Sequence, residues 1–271
     1  MKPTSYILEL ENLNKTFDNN FEVIKDINLK VRQGEFICFI GPSGCGKTVL
    51  LYTIAGFLSP SSGKIFVKNT EVNSIGVDRI MVFQDHMLFP WKTVFENILF
   101  GLANSNLNKS EKIILAENYL SLVDLSDFRD WPIHKLSGGM KQRVAFARAL
   151  VANPEILLMD EPFSSLDSIA RRHLRKNLIK IWQKTKKTIL FVTHSINEAV
   201  YMADTIYVMS SRPTTIKKSY SVKLSRPRDM SDPRFTKILR KVEDAVQIEF
   251  NLCQNQADSQ LNINKMILNG E

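Results

Sequence analysis

The strongest constraint on this chain is the stretch Gly41-Pro42-Ser43-Gly44-Cys45-Gly46-Lys47-Thr48, followed by Val49. It fits G-x-x-x-x-G-K-[ST], a loop whose backbone N–H groups surround nucleotide phosphates. So short a pattern also arises by chance, and its flanks decide. Phe36-Ile37-Cys38-Phe39-Ile40 is a short apolar run, β-branched in part, of the kind seen in buried strands. Val49-Leu50-Leu51-Tyr52-Thr53-Ile54-Ala55, after the loop, reads as a buried helix. Anion binding needs this order: glycine lets the backbone come close, and the helix N-terminus supplies partial positive charge. Lys47 is placed to reach β- and γ-phosphates, and the Thr48 hydroxyl to take a Mg²⁺ position. The alternative is a glycine-rich turn with no ligand, which leaves the flanking strand and helix without a purpose. The stretch is read as a nucleoside triphosphate site.

A chain of 271 residues can bury one large core, with or without an inserted subdomain. Its 44% hydrophobic and 24% charged content lie in the ordinary range for water-soluble chains. No apolar run reaches the ~20 residues of a membrane-spanning helix, and no export signal is visible at the N-terminus. Cys38, Cys45 and Cys253 are few and unpatterned, which fits a reducing compartment better than a disulfide frame or a zinc site. The net charge of +8 raises nucleic acid or an anionic membrane surface as partners. However, the basic residues are dispersed. The densest run, Arg171 to Lys187, carries Ile169, Leu174, Leu178, Ile181 and Trp182 at helical spacing, so it reads as an amphipathic helix with a solvated basic face. No nucleic-acid partner is expected.

Along the chain, Tyr6, Leu8 and Leu10 alternate with Ile7, Glu9 and Glu11, and Ile27, Leu29 and Val31 alternate again. Alternating strands ahead of a buried one suggest an antiparallel layer on a parallel core. Ser59 to Gly63 is a break, followed by strands at Lys64–Lys68 and Ile80–Phe83, the latter ending at Gln84. From Trp91 the periodicity turns helical, with Ser110 a candidate cap for a helix that aligns Ile113, Ala116, Leu120 and Val123. Strands return at Ile156–Met159, Thr188–Thr193 and Thr205–Met209. Apolar strands alternating with helices predict an α/β fold with a mainly parallel sheet. Gln84, Asp160, Glu161 and His194 then fall at strand carboxyl ends, where such folds bind ligands. His86, His134 and His173 are read as surface residues, and residues 255–271 as a polar, frayed tail.

Leu136-Ser137-Gly138-Gly139-Met140-Lys141-Gln142-Arg143 precedes the helical run Val144 to Leu150, which makes a second helix N-terminus with flexible backbone before it. Taken with the phosphate loop, Asp160-Glu161 and His194, this stretch resembles the signature of the ATP-binding cassette (ABC) ATPases. The resemblance covers about residues 5–228, and its motifs stand in the order the family shows. It implies a P-loop NTPase (RecA-like) core over 5–90 and 151–230, an N-terminal antiparallel β layer, a helical subdomain over about 91–150, and a C-terminal helix and tail over 231–271. It implies that two cassettes pair head-to-tail, so that Ser137, Gly138 and Gly139 of one complete the ATP site of the other. Phe17 would then stack on adenine, the alternative being a core aromatic. Gly41 to Val49 would hold the phosphates. Thr48, Gln84 and Asp160 would serve Mg²⁺, and Glu161 would act as general base with His194 and Lys47 at the γ-phosphate. Ser164-Ser165-Leu166-Asp167 resembles the loop that crosses the interface. The chemistry agrees: phosphoryl transfer needs positioning and charge neutralisation, and a carboxylate beside the metal can polarise water, an effect of roughly 10²–10⁴-fold. Cys45 lies near Lys47 and a helix N-terminus, both of which lower a thiol's pKa, although a tolerated small residue is the favoured reading over a redox switch.

Met87-Leu88-Phe89-Pro90-Trp91-Lys92-Thr93-Val94-Phe95-Glu96-Asn97-Ile98 resembles the L-x-P-W-x-x-V-x-x-N stretch of nitrate, sulfonate and taurine importer cassettes. That implies a peripheral subunit on the cytoplasmic face of the inner membrane, powering uptake of a small anionic solute. Its partners would be permease subunits, with Phe89 and Trp91 as candidate contacts, and through them a solute-binding protein. Ser195, Ser165 and Val49 depart from residues common in the family, without touching the hydrolytic set. Two readings compete: a non-transport cassette of DNA repair or translation, and a nucleotide-binding module without catalysis. The first usually has a long coiled-coil insertion or two cassettes in one chain, and the intact Glu161, Gln84 and His194 oppose the second.

Overall fold

The computed structural model describes residues 6–164 and 166–269, with side chains as far as residue 254. Ser165 of the expected interface loop, residues 1–5, and the side chains of the expected polar tail lie outside the described residues. In chain order the first half forms β1 (Tyr6–Phe17), β2 (Phe21–Arg32), β3 (Phe36–Ile40), α1 (Lys47–Ala55), β4 (Ser62–Val67), β5 (Thr70–Glu71) and β6 (Arg79–Val82). Three helices follow: α2 (Val94–Phe100), α3 (Lys109–Leu122) and α4 (Gly138–Val151). Then come β7 (Ile156–Asp160), α5 (Ser168–Thr185), β8 (Thr188–Val192), α6 (Ile196–Met202), β9 (Thr205–Met209), β10 (Ile216–Ser221) and α7 (Pro233–Asn269).

Two sheets result. β2-β1-β4-β5 is antiparallel, and β10-β9-β3-β8-β7-β6 is parallel apart from β10 at its edge. Every residue of β3, β7 and β8 is buried, as central parallel strands covered on both faces must be. Because side chains alternate across a strand, β3 feeds two cores. Ile37 and Phe39 join α1 and the antiparallel sheet, through Leu50, Leu51, Ile54, Leu8 and Ile27. Phe36, Cys38 and Ile40 join the helices on the other face, through Phe146, Trp182, Met202 and Phe235. α1, apolar all round, is therefore enclosed between the sheets, and the loop that opens it is held from both sides.

The differences from the sequence reading have local causes. Asn108, not Ser110, caps α3: its side chain accepts from Glu111 N–H while the Glu111 carboxylate accepts from Asn108 N–H, a reciprocal pair that Ser110, already inside the helix, does not form. β10 has no apolar alternation to betray it; exposed Lys217 and Lys218 mark it as a guarded sheet edge. Ile169 is exposed rather than part of the buried face of α5, because it sits in the first turn, beside the Asp167 cap. α7 runs helically through most of the tail expected to fray.

Candidate functional site

The loop between β3 and α1 is shaped by close backbone approach. A Cβ on Gly41 would lie 2.7 Å from the Met209 carbonyl oxygen. Gly46 has φ +122°, and a Cβ there would meet Val23 Cγ1 at 2.9 Å. Lys47 is buried and its Nζ donates to the carbonyl oxygens of Gly41 (2.9 Å) and Pro42 (2.8 Å), so the loop is wrapped around its own lysine. Ser43 and Gly44 are exposed at the apex. Cys45 is buried, with Sγ 3.7 Å from Lys47 Nζ. Val49 is half-buried, its side chain packed against the apolar core beneath the loop.

The carboxyl ends of the parallel strands bring the acids to this loop. Asp160 ends β7, is buried, and accepts a hydrogen bond from Thr48 Oγ1 at 3.1 Å. Burial pushes its carboxyl pKa up, the Thr48 hydroxyl pulls it back, and the Glu161 charge adds to the rise. Glu161 follows with φ +43°, a left-handed backbone conformation that a non-glycine residue adopts only when its surroundings hold it. Its N–H donates to Val192 O at 3.0 Å, and its Oε2 lies 3.0 Å from His194 Nδ1. Glu161 is thus half-buried between β7 and the end of β8. Gln84 lies two residues beyond β6, with its side chain exposed.

The remaining expected residues are apart from this cluster. Ser137 caps α4, accepting from Met140 N–H at 3.3 Å, and Gly138 and Gly139 adjoin Leu166, Leu174 and Ala170 rather than the phosphate loop. Phe17 ends β1 with 39% of its surface exposed and Lys15 Nζ 5.0 Å above its ring, which excludes the core-aromatic alternative. Trp91 is 76% exposed. His134 and His173 are exposed as expected, but His86 is not: it is half-buried, and desolvation lowers its pKa against a hydrogen bond to the Gly138 backbone.

Sequence reasoning missed two supports. Thr214, fully buried, donates its hydroxyl to the Cys45 carbonyl and so pins the phosphate loop from the turn after β9. Glu198 is a buried carboxylate behind His194. Thr214 is remote in sequence from Cys45 and Glu198 from Arg171, and neither belongs to a recognisable local pattern.

Comparison with known proteins agrees with this geometry. Residues 24–164 match the ABC transporter family. The nitrate import ATP-binding protein of Synechocystis is 43% identical over 239 residues, covering 87% of this chain and 90% of that protein. The bicarbonate transport ATP-binding protein of Synechococcus elongatus is 40% identical over 238 residues, covering 84% and 86%. Among solved structures, an ATP-binding cassette captured as a dimer after hydrolysis, with ADP and phosphate bound, superposes with a TM-score of 0.69 at 29% identity, covering 80% of this chain and all of that one. By this family match and these relatives, the chain belongs to the ABC transporter family as an ATP-hydrolysing cassette.

Proposed function

We propose that this cassette drives uptake of a small anionic solute, working as a head-to-tail pair of identical chains on the cytoplasmic face of a membrane permease that is served by a solute-binding protein. The observation that carries the hydrolytic half is the pairing of Glu161 with His194 beside the Thr48–Asp160 pair. Phosphate oxygens are stronger acceptors than peptide carbonyls, so Lys47 turns from Gly41 and Pro42 to the β- and γ-phosphates. Glu161 takes the proton of the attacking water, and His194, whose Nδ1 lies 3.0 Å from the Glu161 carboxylate, bonds a γ-phosphate oxygen through a ring nitrogen. Ser137, Gly138 and Gly139 of the second copy add a helix N-terminus from the far side, and Phe17 stacks on adenine. The hydroxyl of Thr48 and the carboxylate of Asp160 are hard oxygen donors side by side, which suits Mg²⁺. These two residues, with Gln84, would hold the ion, which would neutralise charge on the phosphates.

Support for transport comes from the nitrate and bicarbonate relatives and from a cleft. About 560 Å³ of space lies between β6 and the helices, walled by Phe57, Ile75, Phe83, Phe100, His86 and Arg148. Phe89 is behind that wall, edge-on to Phe100 at 4.6 Å. An apolar cleft reaching the Gln84 loop fits a short permease helix, and no helix among the described residues is long and apolar enough to cross a membrane itself. The deciding measurement is ATP turnover by Glu161→Gln in the assembled complex. The expected outcome is a fall of roughly 10²–10⁴-fold with nucleotide binding retained; wild-type-like turnover removes Glu161 from the mechanism.

A further inference from the structure

Behind the Glu161–His194 pair is a second polar cluster with no part in the chemistry just described. Glu198, on α6, has a side chain 5% exposed. Thr193 Oγ1 donates to its Oε2 at 2.7 Å, and the same hydroxyl accepts from Ser195 N–H at 3.0 Å, so the carboxylate fixes the turn on which His194 stands. On its other side, Arg171 Nε of α5 is 3.9 Å from Glu198 Oε1, and Arg171 NH2 donates to the Leu166 carbonyl at 2.9 Å. Arg175, one turn on, adds a second positive charge facing Glu198, and His194 adds a third group when protonated. The Nε atoms of Arg171 and Arg175 are buried with no hydrogen-bond partner among the described residues. Glu161, Phe163, Ser164, Arg171, Thr193, His194 and Glu198 surround one small cavity of about 10 Å³, room for one water.

A buried carboxylate is costly to keep charged, and burial raises the Glu198 pKa against the Thr193 bond and the two arginines. What the carboxylate adds is a second link, beside the Glu161–His194 pair, between the His194 turn and Leu166, whose carbonyl Arg171 holds.

We propose that Glu198 is a positioning residue for ATP hydrolysis, setting the His194 turn against Leu166 through Thr193 on one side and Arg171 on the other. The inference rests on the reading of Glu161 and His194 given above. It places the bridge where approach of a second copy to Leu166 is felt at His194, without Glu198 touching the nucleotide.

The test is steady-state ATPase of the full chain, with kcat and KM resolved and ATP binding measured separately. Glu198→Ala is expected to lower kcat about 10- to 100-fold, the scale of a misplaced catalytic group, with KM and ATP affinity within about twofold of wild type. Glu198→Gln keeps an acceptor for Thr193 and the same volume, so it recovers part of kcat and stands in if the alanine variant does not fold. In a His194→Ala chain, either substitution at Glu198 is expected to cost nothing further, since the effect passes through His194. The proposal is overturned by wild-type kcat in both Glu198 variants, by losses that multiply with His194→Ala, or by kcat, KM and ATP affinity falling together. Wild-type turnover in His194→Ala would instead overturn the reading of the site, whereas wild-type turnover in Glu198→Ala beside a disabled His194→Ala overturns the bridge alone.

Discussion

The phosphate loop and the Ser137–Gly139 turn are both glycine-bearing leads into a helix, and the protein holds them in opposite ways. The phosphate loop is locked from within its own chain. Met209 crowds Gly41, Thr214 holds the Cys45 carbonyl, and Lys47 is folded onto Gly41 and Pro42. The Ser137 turn is open. Ser137 and Gly138 are exposed, and a Cβ on Gly139 would make only ordinary contact, 3.7 Å from Leu174. Ser137 uses its hydroxyl on Met140 N–H, leaving the other first-turn donors of α4 without an acceptor from the helix itself. One region closes around its own lysine; the other presents the first turn of its helix in an open, exposed setting. The proposed division of one ATP site between two copies rests on that asymmetry.

The largest effect to be expected breaks or sharpens this contrast directly. Lys47→Ala should abolish tight ATP binding to the single chain, a loss on the order of 10²-fold or more for a buried charge-assisted contact. Ser137→Arg should leave single-chain ATP binding within about twofold and yet stop turnover in the assembled complex, since it obstructs only the other copy's nucleotide. Fluorescent-nucleotide titration beside an ATPase assay separates the two. Equal loss of binding in both variants would mean that the turn serves its own chain, and the contrast would be wrong.

Backbone substitutions come next in size. Gly46→Ala forces a side chain into φ +122° and against Val23 and Thr214, a strain of about 1–3 kcal/mol, or several degrees in Tm for a chain of this size. Gly139→Ala, in an open helical turn, should change Tm by less than about 1 °C, its gain in helix propensity being worth only a fraction of a kcal/mol. Thermal unfolding of the two variants measures how unequally the starts of α1 and α4 are constrained. Comparable losses would show that the Ser137 turn is as tightly packed as the phosphate loop.

The same contrast explains what could be read from sequence. β3, β7 and β8 were legible because strands buried on both faces must be apolar throughout, and the residues that end them inherit their position from the parallel order. Thus Thr48, Asp160, Glu161 and His194 could be gathered from the amino-acid sequence alone. Thr214 and Glu198 could not. Thr214 reaches Cys45 and Glu198 reaches Arg171, each distant in the chain, and a buried polar contact leaves no periodicity behind it. Ile169 and His86 failed for a related reason. Helical spacing gave Ile169 a buried place that the start of α5 denies it, and polarity alone put His86 on the surface although the first turn of α4 covers it.

The smallest effect tests the contrast through two aspartates. Asp160, at the phosphate loop, has its pKa raised above the ordinary 3.8, chiefly by burial. Asp167, at the cap of α5 near the Ser137 turn, has its pKa lowered from the same value, first by the Ala170 N–H and then, against the opposing cost of desolvation, by the Ile169 N–H. The signs give opposite linkages. The Asp160 contribution to stability is fully present below 3.8 and is lost as pH rises through its raised folded value, because the folded chain then carries a desolvated charge. The Asp167 contribution is present above 3.8 and is lost as pH falls through its depressed folded value. In the nucleotide-free chain, Asp160→Asn should therefore raise Tm at neutral pH and Asp167→Asn lower it, with both differences shrinking toward acid. Tm profiles of the two variants against wild type check this. A neutral-pH loss of Tm in Asp160→Asn would mean that the Thr48 hydroxyl outweighs burial, and the phosphate side would then be electrostatically satisfied before any nucleotide or cation arrives.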